Sequence, residues 1–408
     1  MKRKIYKFVK KTIIILSHPS EISRLFKYQL NLVNAIKAPI ISTNEVGEVI
    51  KTIKEESVEK ASFMKVYDLV VSGEVYFKSP RLDVIKYKNS TVFSCSDFIL
   101  CQGGAVWEKF HMPQFTKLIP RDQDLLKVQN GQLLIKKPSN YVNVKVGYSL
   151  CGVHSNVWAH FLVQYLPKLY LIPDIIKTIG QNITIILPKY SDPQIHDIVY
   201  SYLQKISGVE ILELNSGEVA ICDTLYHVSN TAWLSDHVEY ISPADSLIPK
   251  FVADSLKKNL LVDFSVIDKD KNKQKNKNGD KLYIGRSGGR NILNCYEIEE
   301  YFVQKGFVIV TPNKLTLYEK IKLFRNASVI VGPLSGGFTN VIFCEPGTKV
   351  LEFANFQRIF EPYAGFLADN FDIDFRAVTG FDECSSDPHS SYTVPLSKII
   401  SACDELGI

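Results

Sequence analysis

The chain has 408 residues, 46% hydrophobic and 22% charged, an ordinary balance for globular domains and enough length for two or three of them. Its 48 basic and 43 acidic side chains leave a net charge of +5, and the excess is local, which argues against a dedicated nucleic-acid surface. No stretch approaches the ~20 apolar residues of a membrane span, and eight cysteines without a CxxC pair suit reduced cytosolic thiols better than a disulfide framework or a zinc site.

Residues 1–11, MKRKIYKFVKK, carry six basic residues and no acidic one. The apolar part that follows, TIIIL, is short for a signal-peptide core and has no small-residue cleavage site after it. At helical spacing Ile5, Phe8, Val9, Ile13 and Leu16 share one face flanked by lysines. Residues 1–16 therefore suit a basic amphipathic helix on an anionic membrane surface, and equally one docked on the protein's own body. The remainder of a 1–65 N-terminal segment reads as helical and polar, most periodic over 22–36.

From about Val66 to residue 150 the texture turns β-rich, in short runs such as VYDLVVSGEVYF and YVNVKVGYSL split by Gly, Asn and Ser turns. At 151–180 the period becomes helical, interrupted at Pro167. A strand over 183–188 and a helix opened by Asp192-Pro193 follow. Then come the strands VEILEL and ICDTLYHV, the loop SNTAWLSDH and a helix over 242–262. Residues 66–262 read as one domain, and the polar, lysine-rich 263–280 as a mobile linker loop. Over 281–408 βα units alternate cleanly, which predicts a second α/β domain on a parallel, doubly wound sheet. Ligands of such sheets bind outside the carboxyl ends of the strands, where 285–287 and 332–340 fall.

Three constellations could carry chemistry. Over 328–353 a strand, a glycine turn and a helix start succeed one another, an arrangement in which backbone N–H groups converge on an anion. It also serves as a plain tight connection. Ser335, Gly336, Gly337, Thr339 and Asn340 offer small side chains and donors where a helix dipole favours negative charge, although neither a Walker motif nor GxGxxG is present. Arg286, with Arg290 and Asn294, follows the KLYIG strand. Guanidinium groups there suit phosphate oxygens, or simply cap a loop. Asn156, His160 and Gln164, four apart, form a polar stripe on an apolar helix, which calls for a cleft or a buried network. The DxD pairs Asp122/Asp124, Asp268/Asp270 and Asp372/Asp374 follow no convincing strand, so no metal site is predicted. No GxSxG and no local Cys–His pair is present.

The stretches LYIGRSGGRNILN (282–294), GFVIVTPNKLTLYEKIKLFRNASVIVGP (306–333) and GGFTNVIFCEPGTKVLEF (336–353), with SNVWAHFLVQYLPKL upstream, resemble glycosyltransferase family 61. That family includes plant xylan-decorating enzymes, animal protein-O-linked N-acetylglucosamine transferases and bacterial capsule enzymes. The resemblance covers about 150 to 355. Two positions depart from it: Leu334 replaces a polar residue in a His-Gly-Ala-Gly-like turn, and Gly285 stands where Ser is frequent.

The resemblance implies a GT-B-like fold, two Rossmann-like domains facing a cleft, here with a β-rich N-terminal part. It further implies an inverting, metal-independent transfer from a nucleotide-sugar donor to a glycan acceptor, without a cofactor. By position, Arg286, Arg290, Asn294, Ser335, Gly336, Gly337, Thr339 and Asn340 would fall to the donor and its diphosphate, and Glu352 to ribose or sugar hydroxyls. His160 would be the general base or an acceptor contact, with Asp236 and His237 in reserve and Asn156 and Gln164 on the acceptor side. A lipid-linked acceptor in bacterial capsule or other surface polysaccharide synthesis, reached at the cytoplasmic face of the inner membrane, is implied as well. Two other readings stand beside it: a pyruvyl or phosphosugar transferase of two domains, and a non-catalytic scaffold of a polysaccharide assembly complex.

Overall fold

The computed structural model describes residues 35–62, 65–67, 74–108, 122–234, 248–261, 280–286, 291–358, 362–381 and 390–408. The amphipathic stretch 1–16 and nearly all of the expected linker loop lie outside them. Two large sheets carry the fold. The smaller has six strands, every neighbouring pair parallel. Five come from the C-terminal βα repeat: Asp280–Ile284, Val308–Val310, Ala327–Pro333, Lys349–Asn355 and Asp374–Gly380. They lie in the order second, first, third, fourth, fifth, with the short Lys65–Val66 strand at the far edge. Alternate residues serve opposite faces. Leu282, Ile284, Ile330 and Val350 enter one apolar cluster. Tyr283, Val331, Leu351 and Phe353 enter another, beneath the helices Cys295–Gln304 and Leu396–Leu406. Burial on both faces explains the continuous apolar runs of these strands.

The larger sheet has eleven strands and is mixed. Its parallel block, Asn140–Ser149, Ile183–Pro188, Val209–Leu214 and Glu218–Val228, runs in the order third, second, first, fourth. Antiparallel pairing carries the sheet on from Glu218–Val228 to the long Leu82–Phe93 strand and beyond. Residues 36–62, read from the sequence as helical, are mostly strand: Ile36–Ile41, Glu48–Lys54 and Ser57–Ser62, with only the one-turn helix Thr43–Val46 between. The runs IKAPII and EVIKTIK are rich in Ile, Val and Thr, which suit a pleated surface. Pairing with Gln132–Ile135 and Leu82–Phe93 then overrides the weak helical period.

The helix that follows Asn140–Ser149 is irregular. Trp158–His160 is α-helical, Phe161–Tyr165 widens to a π-helix, and Leu166–Tyr170 is α-helical again. Pro167 has no N–H to give the Val163 carbonyl four residues back. The Thr231 hydroxyl donates to that carbonyl instead, at 2.8 Å. One apolar cluster then joins the two halves, holding Phe161, Leu162 and Leu166 together with Ile284, Ile321 and Phe338. Among the described residues no helix is long and apolar enough to cross a membrane.

Gly332 closes the third strand of the smaller sheet at φ +149°, and a Cβ there would sit 2.6 Å from the Ile284 carbonyl oxygen. Gly332→Ala is therefore expected to cost roughly 2 kcal/mol or more, read as a drop of several degrees in melting temperature. An unchanged melting curve would show that this crossing tolerates a side chain.

Candidate functional site

In a doubly wound sheet the strands flanking the reversal of order send their chains to opposite faces, and a crevice opens between them. In the smaller sheet those strands are Asp280–Ile284 and Ala327–Pro333. Gly285 and Arg286 follow the first, and the turn 334–337 follows the second. A cavity of about 630 Å³ lies there. One wall is 285–286, 311–313, Lys320, 335–337 and Asn340, and the other is 156–159 and 191–194, which follow strands of the larger sheet.

Hydrogen bonds between the halves pin these walls. The Trp158 indole N–H donates to Asn340 Oδ1 at 3.1 Å, and the Tyr363 hydroxyl donates to the Ala159 carbonyl. Gln194 Nε2 donates to the Leu315 carbonyl at 2.7 Å, while its Oε1 accepts from Lys320 Nζ at 2.8 Å.

Of the residues singled out from the sequence, Asn156, Arg286, Ser335, Gly336, Gly337 and Asn340 line this one cavity. Asn156 Oδ1 accepts from the Ser191 backbone N–H at 2.7 Å and so joins the two loops of its wall. Arg286 donates to the Leu334 carbonyl, which shows what this position contributes despite its apolar side chain. The turn leads into a 3-10 helix, Gly336–Phe343. Within it the Thr339 hydroxyl donates to the Gly336 carbonyl at 2.6 Å and Asn340 Nδ2 to the Gly337 carbonyl at 2.9 Å. Asn340 is only 1% exposed, and both ends of its amide are engaged within the protein.

The others sit elsewhere. Asn294 clasps the C-terminal segment, donating to the Val394 carbonyl at 2.9 Å and accepting from its N–H at 3.2 Å. Arg290, Asp236 and His237 lie outside the described residues. His160 does not line the cavity. Its ring lies 4.6 Å from that of His154, which holds a left-handed backbone at φ 62°. Gln164 Nε2 donates to the Ala232 carbonyl at 3.2 Å, which orients the amide and turns Oε1 toward His160 Nδ1 at 2.8 Å. An amide oxygen only accepts, so in the neutral ring Nδ1 carries the hydrogen and Nε2 the lone pair. Among the described residues no group of three or more His, Cys, Asp or Glu is arranged to hold a metal ion.

Lys320 is a cavity residue that the sequence signals only indirectly. Leu317, Lys320, Ile321 and Phe324 follow the i, i+3, i+4, i+7 pattern of an apolar helix face, so a lysine stands where core is expected. Thr316 and Glu319 start that helix, Leu317–Asn326, with a capping box. Lys320 is 4% exposed, and its ammonium lies 5.5 Å from the Trp158 ring centroid. Burial pulls its pKa down, partly offset by the Asp192 carboxylate.

Residues 158–351 match the model of the family described as Glycosyltransferase 61. Over those residues the chain is similar to glycosyltransferase family 61, which supports the class of a glycosyltransferase. The matched stretch contains nearly all of the cavity wall. No curated protein matches the chain.

Glu352 is 2% exposed, and burial pushes its carboxyl from the ordinary 4.5 up to about 8, against an opposing pull from Arg286. Between those values the folded protein keeps a proton that the unfolded chain has lost, so stability falls as pH rises through this window. Glu352→Gln removes that loss. The variant's melting temperature relative to wild type is expected to climb by a few degrees between about pH 5 and pH 8. Parallel curves across that range would mean the carboxyl titrates normally.

Proposed function

We propose that the chain is an inverting, metal-independent glycosyltransferase of GT-B type, working on a nucleotide-sugar donor and a glycan acceptor. The observation that carries this is the cavity itself: an arginine and a glycine turn at a sheet's switch point, facing a second parallel block across a cleft. The donor diphosphate belongs on the 285–286 and 335–337 wall, held by the Arg286 guanidinium and the N–H groups of the turn. Arg290, four residues on in the sequence, is assigned to the same diphosphate by the family resemblance. The acceptor comes from the 156–159 side.

In the transfer, the acceptor hydroxyl oxygen forms a bond to the anomeric carbon from the face opposite the diphosphate. The carbon–oxygen bond to the diphosphate breaks, and its electron pair leaves with the phosphate oxygen. A general base takes the hydroxyl proton. His160, whose ring is oriented by the Nδ1 contact with Gln164, is the base in this reading, with Asp236 and His237 as alternatives. Fixed cations and N–H donors do the neutralising that a metal ion does in other transferases, and no cofactor takes part. The family resemblance supports a lipid-linked acceptor in bacterial surface polysaccharide synthesis. Residues 1–16 would then hold the enzyme at the cytoplasmic membrane face.

A panel of UDP, GDP, CDP and ADP tests the donor assignment. At about a hundredfold excess over its dissociation constant one of them is expected to stabilise the protein by ~2.7 kcal/mol, a rise of several degrees in melting temperature. Arg286→Ala should abolish that rise and sugar transfer together, and His160→Ala should abolish transfer with the rise intact. Stabilisation by none of the four would refute the donor assignment, and transfer persisting in both variants would refute the residue roles.

A further inference from the structure

We propose that the Lys320 ammonium is a second fixed cation for the donor diphosphate, aimed into the cavity by Gln194 and Trp158 of the opposite half. The inference rests on the nucleotide-sugar reading above and adds to it a binding residue and a device for positioning it.

Lys320 is nearly fully buried yet lines the cavity. Its contacts are the Gln194 amide oxygen and the face of the Trp158 indole, and it forms no ion pair among the described residues. Asp192, which opposes its deprotonation from a distance, accepts instead from the Gln194 backbone N–H at 2.9 Å as the cap of its own helix. A buried ammonium held by one neutral oxygen and a ring is poorly compensated. For helix–core contact alone, an apolar side chain at this position would cost less. The charge becomes favourable when an anion enters the cavity and supplies the missing compensation.

The aiming is built into the other half. Gln194 stands at the start of the helix Pro193–Leu203. Its Nε2 is committed to the Leu315 carbonyl, so its oxygen has one orientation, toward Lys320. Trp158 is fixed by its bond to Asn340, at the edge of the glycine turn. An ammonium has three donors, and one is spent on Gln194. The remainder are the natural partners of phosphate oxygens that Arg286 reaches from the sheet edge. The wall that receives the acceptor thereby orients a cation of the donor site.

The test uses the full-length protein and the intrinsic fluorescence of Trp158, with Trp158→Phe as the control that assigns the signal. Lys320→Met keeps length and removes charge; Lys320→Gln is the second variant should the first not fold. Titration with whichever of UDP, GDP, CDP and ADP binds wild type is expected to show affinity weakened roughly ten- to a hundredfold in either variant. The dependence of affinity on salt should flatten as well, because one screened charge pair is gone. A variant that binds like wild type, or that binds more weakly with an unchanged salt dependence, makes Lys320 a tether between the halves and overturns the proposal while leaving the donor site standing. Absence of binding by wild type to all four nucleotides overturns both readings.

Discussion

Parallel pairing delivers every strand of a sheet to the same edge, and the site depends on that constraint being met twice. The five C-terminal strands end together, which gathers Arg286, Pro312 and Ser335 from three separate βα units onto one rim. The parallel block of the larger sheet ends toward the same cavity and contributes 156–159 and 191–194. Neither rim encloses a small molecule alone. Polar groups can converge at this place because two ordered edges face one another, so the chemistry is a consequence of topology before it is one of any single residue.

What holds the edges in register is a small set of polar contacts over an apolar base. The shared apolar cluster supplies most of the association between the halves. The bonds from Trp158 to Asn340 and from Gln194 to Leu315 and Lys320 fix how the walls meet. They run from 158 and 194 on one wall to the 3-10 helix after the glycine turn, to the loop before the lysine helix and to Lys320 itself, so a disturbance of one wall is felt at the other. The π-helical turn at 161–165 belongs to the same scheme, since it carries the apolar ring of Phe161 into the shared cluster and turns Gln164 toward His160.

Much of this was legible in the chain, and the exceptions have physical reasons. The glycine turn and Arg286 are local signals: a buried strand, then residues that only a turn tolerates, then a cation. The βα rhythm that places them at a sheet mouth is equally local. Lys320 is visible only as a lysine in a core register, and its partners Trp158 and Gln194 are 162 and 126 residues away along the chain. Asn294, grouped with the arginines by proximity in sequence, is committed to Val394, a contact across 100 residues that no spacing rule reveals. The strands at 36–62 were hidden for the same reason, because their partners lie elsewhere in the chain and outweigh a faint helical period.

Hydrogen–deuterium exchange with and without a saturating nucleoside diphosphate tests the central claim most directly. Exchange is expected to slow in both walls at once, at 285–286 and 335–340 on one side and at 156–159 and 191–194 on the other. Protection confined to one half, or falling away from this cavity altogether, would contradict a donor site built between the two sheets.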